Sequence, residues 1–156
     1  MQGDARGDSP NLADETNACV LVVDGQPEDR QLICRLLAQF PLSLSLISVS
    51  SAAEAMAHLV KAEQHAARAP DLVLLDFDLP DLSAPRLLAQ LRRHSHFKAL
   101  PVVALTRSSE PDVIRRAYDF GANAVINRTG PPEVMDEIVR TLMDFWFRVA
   151  DRYLID

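Results

Sequence analysis

Five short apolar runs, each followed by a helical pattern, constrain this 156-residue chain more than any other feature. The runs are Cys19–Val23, Leu44–Val49, Leu72–Leu75, Pro101–Leu105 and Ala124–Ile126. They read as continuous apolar runs, not as alternating ones. Such strands are buried on both faces, as in a parallel sheet held between helices.

The segments between them read as helices. Pro27-Glu28-Asp29 opens the first, because proline suits the first helical position and acids suit the positive end of the helix dipole. Leu32, Ile33, Leu36, Leu37 and Phe40 share one face of it. Ser51 is placed to cap a second helix carrying Ala52, Met56, Leu59 and Val60. Leu87, Leu88 and Leu91 mark a third. Val113, Ile114 and Ala117 mark a fourth, stopped at Gly121. Pro131 and Pro132 open a long final helix. Strand-then-helix repeated five times predicts an α/β fold: a doubly wound, flavodoxin-like (αβ)5 chain with a five-stranded parallel sheet in the order 2-1-3-4-5. Residues 1–17 are polar and acid-rich and are expected to form a flexible tail. The domain is expected to span 18–156, and one domain suits a chain of this length.

Four polar residues fall just past strand ends: Asp24, Asp76, Thr106 and Arg128, after the first, third, fourth and fifth strands. Parallel strands point the same way, so all four project from the carboxyl edge of the sheet, where such folds bind ligands. Two carboxylates at close range are costly unless a cation lies between them. Mg²⁺ is the natural choice for oxygen ligands that must also hold a phosphoryl group. The central carboxylate, Asp76, can then serve as nucleophile, and the hydroxyl and the cation stabilise phosphoryl oxygens.

Val-Val-Asp24, Asp76-Phe-Asp-Leu-Pro80, Ala-Leu-Thr106 and Gly121-Ala-Asn-Ala-Val-Ile-Asn-Arg128 resemble, in order, the blocks of response-regulator receiver domains. The resemblance covers roughly residues 18 to 150. It implies that Asp76 accepts the phosphoryl group. It implies a metal site of Asp24, Asp76 and the backbone carbonyl of Asp78. Thr106 would follow the phosphate, and Arg128 stands where the family places a lysine. Arginine keeps the charge, but its planar fork is not equivalent to a point ammonium. Gly25 replaces the second acid of the family's first block, so Mg²⁺ binding is expected to be weak; Glu28 or Asp29 are the acids nearest to compensate. Val125 stands where many receivers carry a switch tyrosine or phenylalanine. Thr129 takes the place of a common proline, and Ala84 that of a frequent glycine in the loop after the third strand.

Composition narrows the partners. The net charge of -6 argues against nucleic acid, which needs a basic face. The sequence contains no run of ~18 apolar residues, so no membrane span is expected, and the N-terminus lacks the apolar stretch of a signal peptide. Cys19 and Cys34 read as buried core thiols of a cytoplasmic protein. The pairs His58 and His65, and His94 and His96, have no third ligand at metal spacing. No glycine-rich phosphate loop appears, which argues against a flavodoxin-like cofactor binder.

The final helix carries two apolar stripes at 100° steps. Val134, Ile138, Leu142, Phe145 and Val149 form the first, which is expected to lie on the sheet. Met135, Val139, Met143, Trp146 and Ala150 form the second, extended by Phe147 and Leu154. Together they cover about twice the ~100° arc a surface helix needs. The second stripe is therefore expected to meet another protein surface, with Trp146 as the anchor of a homodimer. Asp144-Phe-Trp-Phe-Arg148 resembles the single-domain response regulators that partner bacterial phytochrome kinases. The expected function is a non-enzymatic, stand-alone response regulator, phosphorylated on Asp76 by a histidine kinase, and the resemblance implies a bacteriophytochrome as that partner. The alternative is a pseudo-receiver that dimerises or docks without phosphorylation.

Overall fold

The computed structural model describes residues 18–149. The tail expected over 1–17 lies outside the described residues, as do the Val149 side chain, Ala150 and Leu154. Five parallel strands form one sheet in the order β2-β1-β3-β4-β5. They are β1 (Ala18–Val23), β2 (Leu44–Val49), β3 (Leu72–Asp76), β4 (Val102–Thr106) and β5 (Ala124–Asn127). The helices between and after them are α1 (Pro27–Ala38), α2 (Ala52–Glu63), α3 (Ser83–Arg93), α4 (Pro111–Asp119) and α5 (Pro132–Asp144). This is the doubly wound order expected from the alternation of runs.

Local chemistry explains where the helices start and stop. Pro27, Pro111 and Pro132 open α1, α4 and α5, in the first turn, where a backbone N–H has no acceptor within the helix. At α2 the Ser51 hydroxyl accepts from the Glu54 N–H at 3.1 Å, and Glu54 in turn accepts from the Ser50 N–H at 3.0 Å. Past α4 the chain turns at Gly121, whose φ of +109° suits glycine. A Cβ there would stand 2.6 Å from Arg92 Cγ, so the position needs glycine for space as well. Ala84 lies inside α3, not in the loop that precedes it, because a short 3₁₀ turn at Pro80–Leu82 completes the connection first.

The sheet divides the core in two. Leu21, Val23, Val73, Leu75 and Ala104 face α2, α3 and α4, where they meet Leu59, Leu87, Leu88 and Ala117. Val20, Val22, Leu72, Leu74 and Val103 face α1 and α5, where they meet Ile33, Leu37, Val139 and Met143. The central strands β1, β3 and β4 are buried along their whole length. The outer strands β2 and β5 are only half-buried, because each lacks a neighbour on one side. The expectation of burial on both faces therefore holds for the three inner strands alone.

The last helix sits differently from expectation. Its buried residues are Met135, Val139 and Met143 of the second stripe and Leu142 of the first, so the sheet covers the second stripe and its border with the first. Trp146 and Phe147 continue it, half-buried against the same cluster. Phe145 of the first stripe is 49% exposed. Adjacent stripes share a boundary, and periodicity cannot say which of them the sheet will cover. A π-helical turn at Phe145–Val149 then breaks the 100° step on which both stripes were extrapolated.

Two measurements check this arrangement. Met143→Ala should cost about 2–5 kcal/mol in chemical denaturation of the monomer at high dilution, whereas Phe145→Ala should there stay within about 0.5 kcal/mol. Cys19 is fully buried, and burial pushes its thiol up to about 11; Cys34 is half-buried on α1. At pH 8 a thiol reagent should therefore modify Cys34 readily and Cys19 only on unfolding. Two equally fast thiols would contradict the packing of β1.

Candidate functional site

The parallel register sets the site. Val23 pairs with Leu75, so Asp24 and Asp76 leave neighbouring strands at the same height. Asp76 pairs with Leu105 and Thr106 with Asn127, so the polar residue moves one step further along on each strand toward β5. Arg128 comes one residue after β5, and its N–H donates to the Thr106 carbonyl at 2.9 Å. Asp24, Asp76, Thr106 and Arg128 are all buried, at 1%, 4%, 0% and 3% exposure. The four residues singled out by their strand-end positions do converge.

Their contacts are charged and short. The Arg128 guanidinium donates from Nη1 to Asp24 Oδ2 at 2.6 Å. Its Nη2 stands 3.0 Å from Asp76 Oδ1. The Gln26 N–H donates to Asp24 Oδ1 at 2.9 Å. Asp76 accepts from the Asp78 N–H at 2.9 Å and from the Gly25 N–H at 3.3 Å. Burial pushes the Asp76 carboxyl above the usual carboxylate range; Arg128 pulls against this, and the charge of Asp24 adds to the rise.

Thr106 is turned to a different partner. Its hydroxyl donates to Asp78 Oδ1 at 2.7 Å, while the Arg107 N–H donates to Asp78 Oδ2 at 2.8 Å. Asp78 thus meets the site through its N–H and its side chain, a role not legible in its position. Sequence reasoning also missed Arg107, which reaches Asp29 at 2.9 Å, and Arg30, which donates to the Asp24 carbonyl at 2.8 Å. Arg107 directly follows a strand end, and that was the one available signal. Asp29 is committed to this ion pair on the first turn of α1. Near β5, the Val125 N–H donates to the Tyr118 hydroxyl at 3.2 Å, so an aromatic hydroxyl does approach this strand, from α4.

The same geometry tests the fit of a divalent cation. Asp24 and Asp76 offer the oxygen ligands such an ion needs. Gly25 supplies no third carboxylate, and Arg128 already spans the two that exist. Among the described residues no group of three or more His, Cys, Asp or Glu side chains is placed to hold a metal. A cation here would have to share Asp24 and Asp76 with the guanidinium that already pairs with both. Nor, among the described residues, is any helix long and apolar enough to cross a membrane.

Comparison with known proteins places this architecture. Residues 20–140 match the model of the response regulator receiver domain. The response regulator Rcp1 of Synechocystis sp. is 27% identical over 142 residues, 89% of this chain and 97% of Rcp1. The Mn²⁺-bound form of Rcp1 superposes with a TM-score of 0.79 at 25% identity, over 88% of this chain and 99% of that one. The phosphorylated cyanobacterial phytochrome response regulator RcpA superposes with a TM-score of 0.82 at 29% identity, over the same shares. Proteins of this kind are signalling modules and not enzymes. Because the match runs from β1 into α5 and takes in every strand end that carries the buried charges, the chain belongs to the family of response regulator receiver domains.

Proposed function

We propose that this chain is a cytoplasmic, single-domain response regulator that accepts a phosphoryl group on Asp76 from a histidine kinase and signals by protein contact. The observation that carries this reading is the Asp76 carboxylate at the end of the central strand, with the Arg128 guanidinium 3.0 Å away. In the transfer, an Asp76 oxygen attacks the phosphorus of a phosphohistidine. The P–N bond breaks as the P–O bond forms, and the imidazole leaves with its electron pair and takes up a proton. Arg128 then has donors for the new phosphoryl oxygens. Thr106 follows by exchanging its hydrogen bond to Asp78 for one to the phosphoryl group. Asp24 helps to hold Arg128 in place.

The kinase we propose is of the phytochrome type, because RcpA, described as a phytochrome response regulator, superposes over nearly its whole length. The net charge of -6 is unfavourable for a nucleic-acid partner. Mg²⁺ binding is weak in this reading, since Gly25 stands where a carboxylate would be needed. A homodimer through the C-terminal helix also belongs to it, with a changed face. Trp146 packs on the domain's own core, so Phe145, which is exposed, becomes the anchor.

Two experiments test these proposals. Intact mass after incubation with a small phosphodonor should show one added phosphate on the wild type and none on Asp76→Asn. Uptake by the variant at the wild-type rate would move the acceptor elsewhere, and no uptake by the wild type would overturn phosphoryl acceptance. For the dimer, light scattering should report a two-fold assembly that Phe145→Glu converts to a folded monomer, because burying an unpaired charge is prohibitive. A wild type that is monomeric at tens of micromolar would refute it.

A further inference from the structure

Arg128 does not simply stand beside one acid; it spans both. Nη1 is 2.6 Å from Asp24 Oδ2 and Nη2 is 3.0 Å from Asp76 Oδ1. All three side chains are at least nine-tenths buried. The remaining carboxylate oxygens are also taken: Asp24 Oδ1 accepts from the Gln26 N–H and Asp76 Oδ2 from the Gly25 N–H. Each of the four oxygens therefore has a protein donor. An outside cation must therefore share carboxylates whose oxygens all have protein donors, one of them the charged fork that lies between the two acids.

The arginine is held by these acids and little else in its head group. Its Nε is buried and finds no hydrogen-bond partner among the described residues. A buried donor left unpaired is costly, so the fork is not in this position to satisfy its own hydrogen bonds. Its placement follows from charge: two buried carboxylates need a cation between them, and the guanidinium supplies two donors in a rigid plane that reaches both. A lysine has a single nitrogen with which to do so. The formal charge of the trio, two carboxylates and one guanidinium, is -1. A divalent ion binds more tightly with each added carboxylate, and none stands at Gly25. A Cβ at Gly25 would lie 3.9 Å from Asp76 Oδ2, so that position borders the same space.

We propose that Arg128 is the resident cation of this pocket: the guanidinium and a divalent ion are alternative occupants of the space between Asp24 and Asp76. Metal enters only by displacing the arginine. The pocket that receivers of this family use with a cation is here closed by a tethered one. The competition rests on the reading of Asp24 and Asp76 as the phosphoryl-accepting pocket only for its biological meaning. It is measured with Mg²⁺ alone and without any phosphodonor, so its failure and a failure of phosphorylation are separate results.

The test compares the full chain with Arg128→Lys and Arg128→Gln, by Mg²⁺ titration calorimetry and by thermal unfolding with and without Mg²⁺. Arg128→Lys is the informative variant, because it keeps the charge and removes the fork. It should bind Mg²⁺ about tenfold tighter than wild type, a difference of about 1.4 kcal/mol. Arg128→Gln should bind at least as tightly. Both variants should gain thermal stability from Mg²⁺, while the wild-type midpoint hardly moves. If Arg128→Lys binds Mg²⁺ no better than wild type, then nearby charge and not occupancy governs the pocket, and the proposal falls. It falls equally if the wild type binds as tightly as the variants. Should Arg128→Gln fail to fold, the comparison of wild type with Arg128→Lys carries the test alone.

Discussion

Two carboxylates from neighbouring strands lie side by side out of water, and the surroundings are arranged around that fact. Unit charges about 4 Å apart interact by roughly 4 kcal/mol at the effective dielectric of a protein surface, and burial adds its own penalty. The sheet register makes the problem unavoidable, because Val23 and Leu75 are level and the acids follow at once. The answer is a guanidinium delivered from the far side of the sheet. β4 lies between, and the Thr106 carbonyl fixes the backbone from which Arg128 reaches back. The order 2-1-3-4-5 is what brings an arginine after β5 over a pair of acids after β1 and β3.

Around this centre runs a second set of contacts that joins the loops. Asp78 receives the Thr106 hydroxyl and the Arg107 N–H; Arg107 pairs with Asp29 on α1; and Thr129 donates to the Arg107 carbonyl at 3.2 Å. Four chain segments thus meet through Arg107. The Asp78 contact also decides what a phosphoryl group must compete with. Its oxygens would have to draw Thr106 away from a carboxylate that already accepts from it.

Much of this was legible in the sequence, for physical reasons. Continuous apolar runs ending in Asp24, Asp76 and Thr106 fix strands whose ends share an edge, because parallel strands all point one way. Gly121 fixes a helix stop because few other residues accept its φ. Other features depend on three-dimensional choices that no linear pattern encodes. Whether Met143 or Phe145 faces the sheet is a rotation of a helix that is apolar on both faces. Whether Asp78 uses a carbonyl or a carboxylate depends on its loop, which turns at Pro80–Leu82 through left-handed φ values at Asp81 and Leu82. That Arg128 lies across both acids and not toward solvent depends on its rotamer. The sequence shows a cation at the right height, but not its reach.

The length of chain between the partners has a consequence for assembly. Asp24 and Arg128 are 104 residues apart, and between them lie four of the five strands. β1 and β3 can pair before β5 is in place, and their pairing alone would bring two carboxylates together without a counter-ion. Contacts of such wide separation form slowly, since the intervening chain must first be ordered. Only with the fifth strand seated does Arg128 stand between the two acids, so the buried, ion-paired end of the sheet is a property of the complete domain and not of the β1–β3 pair.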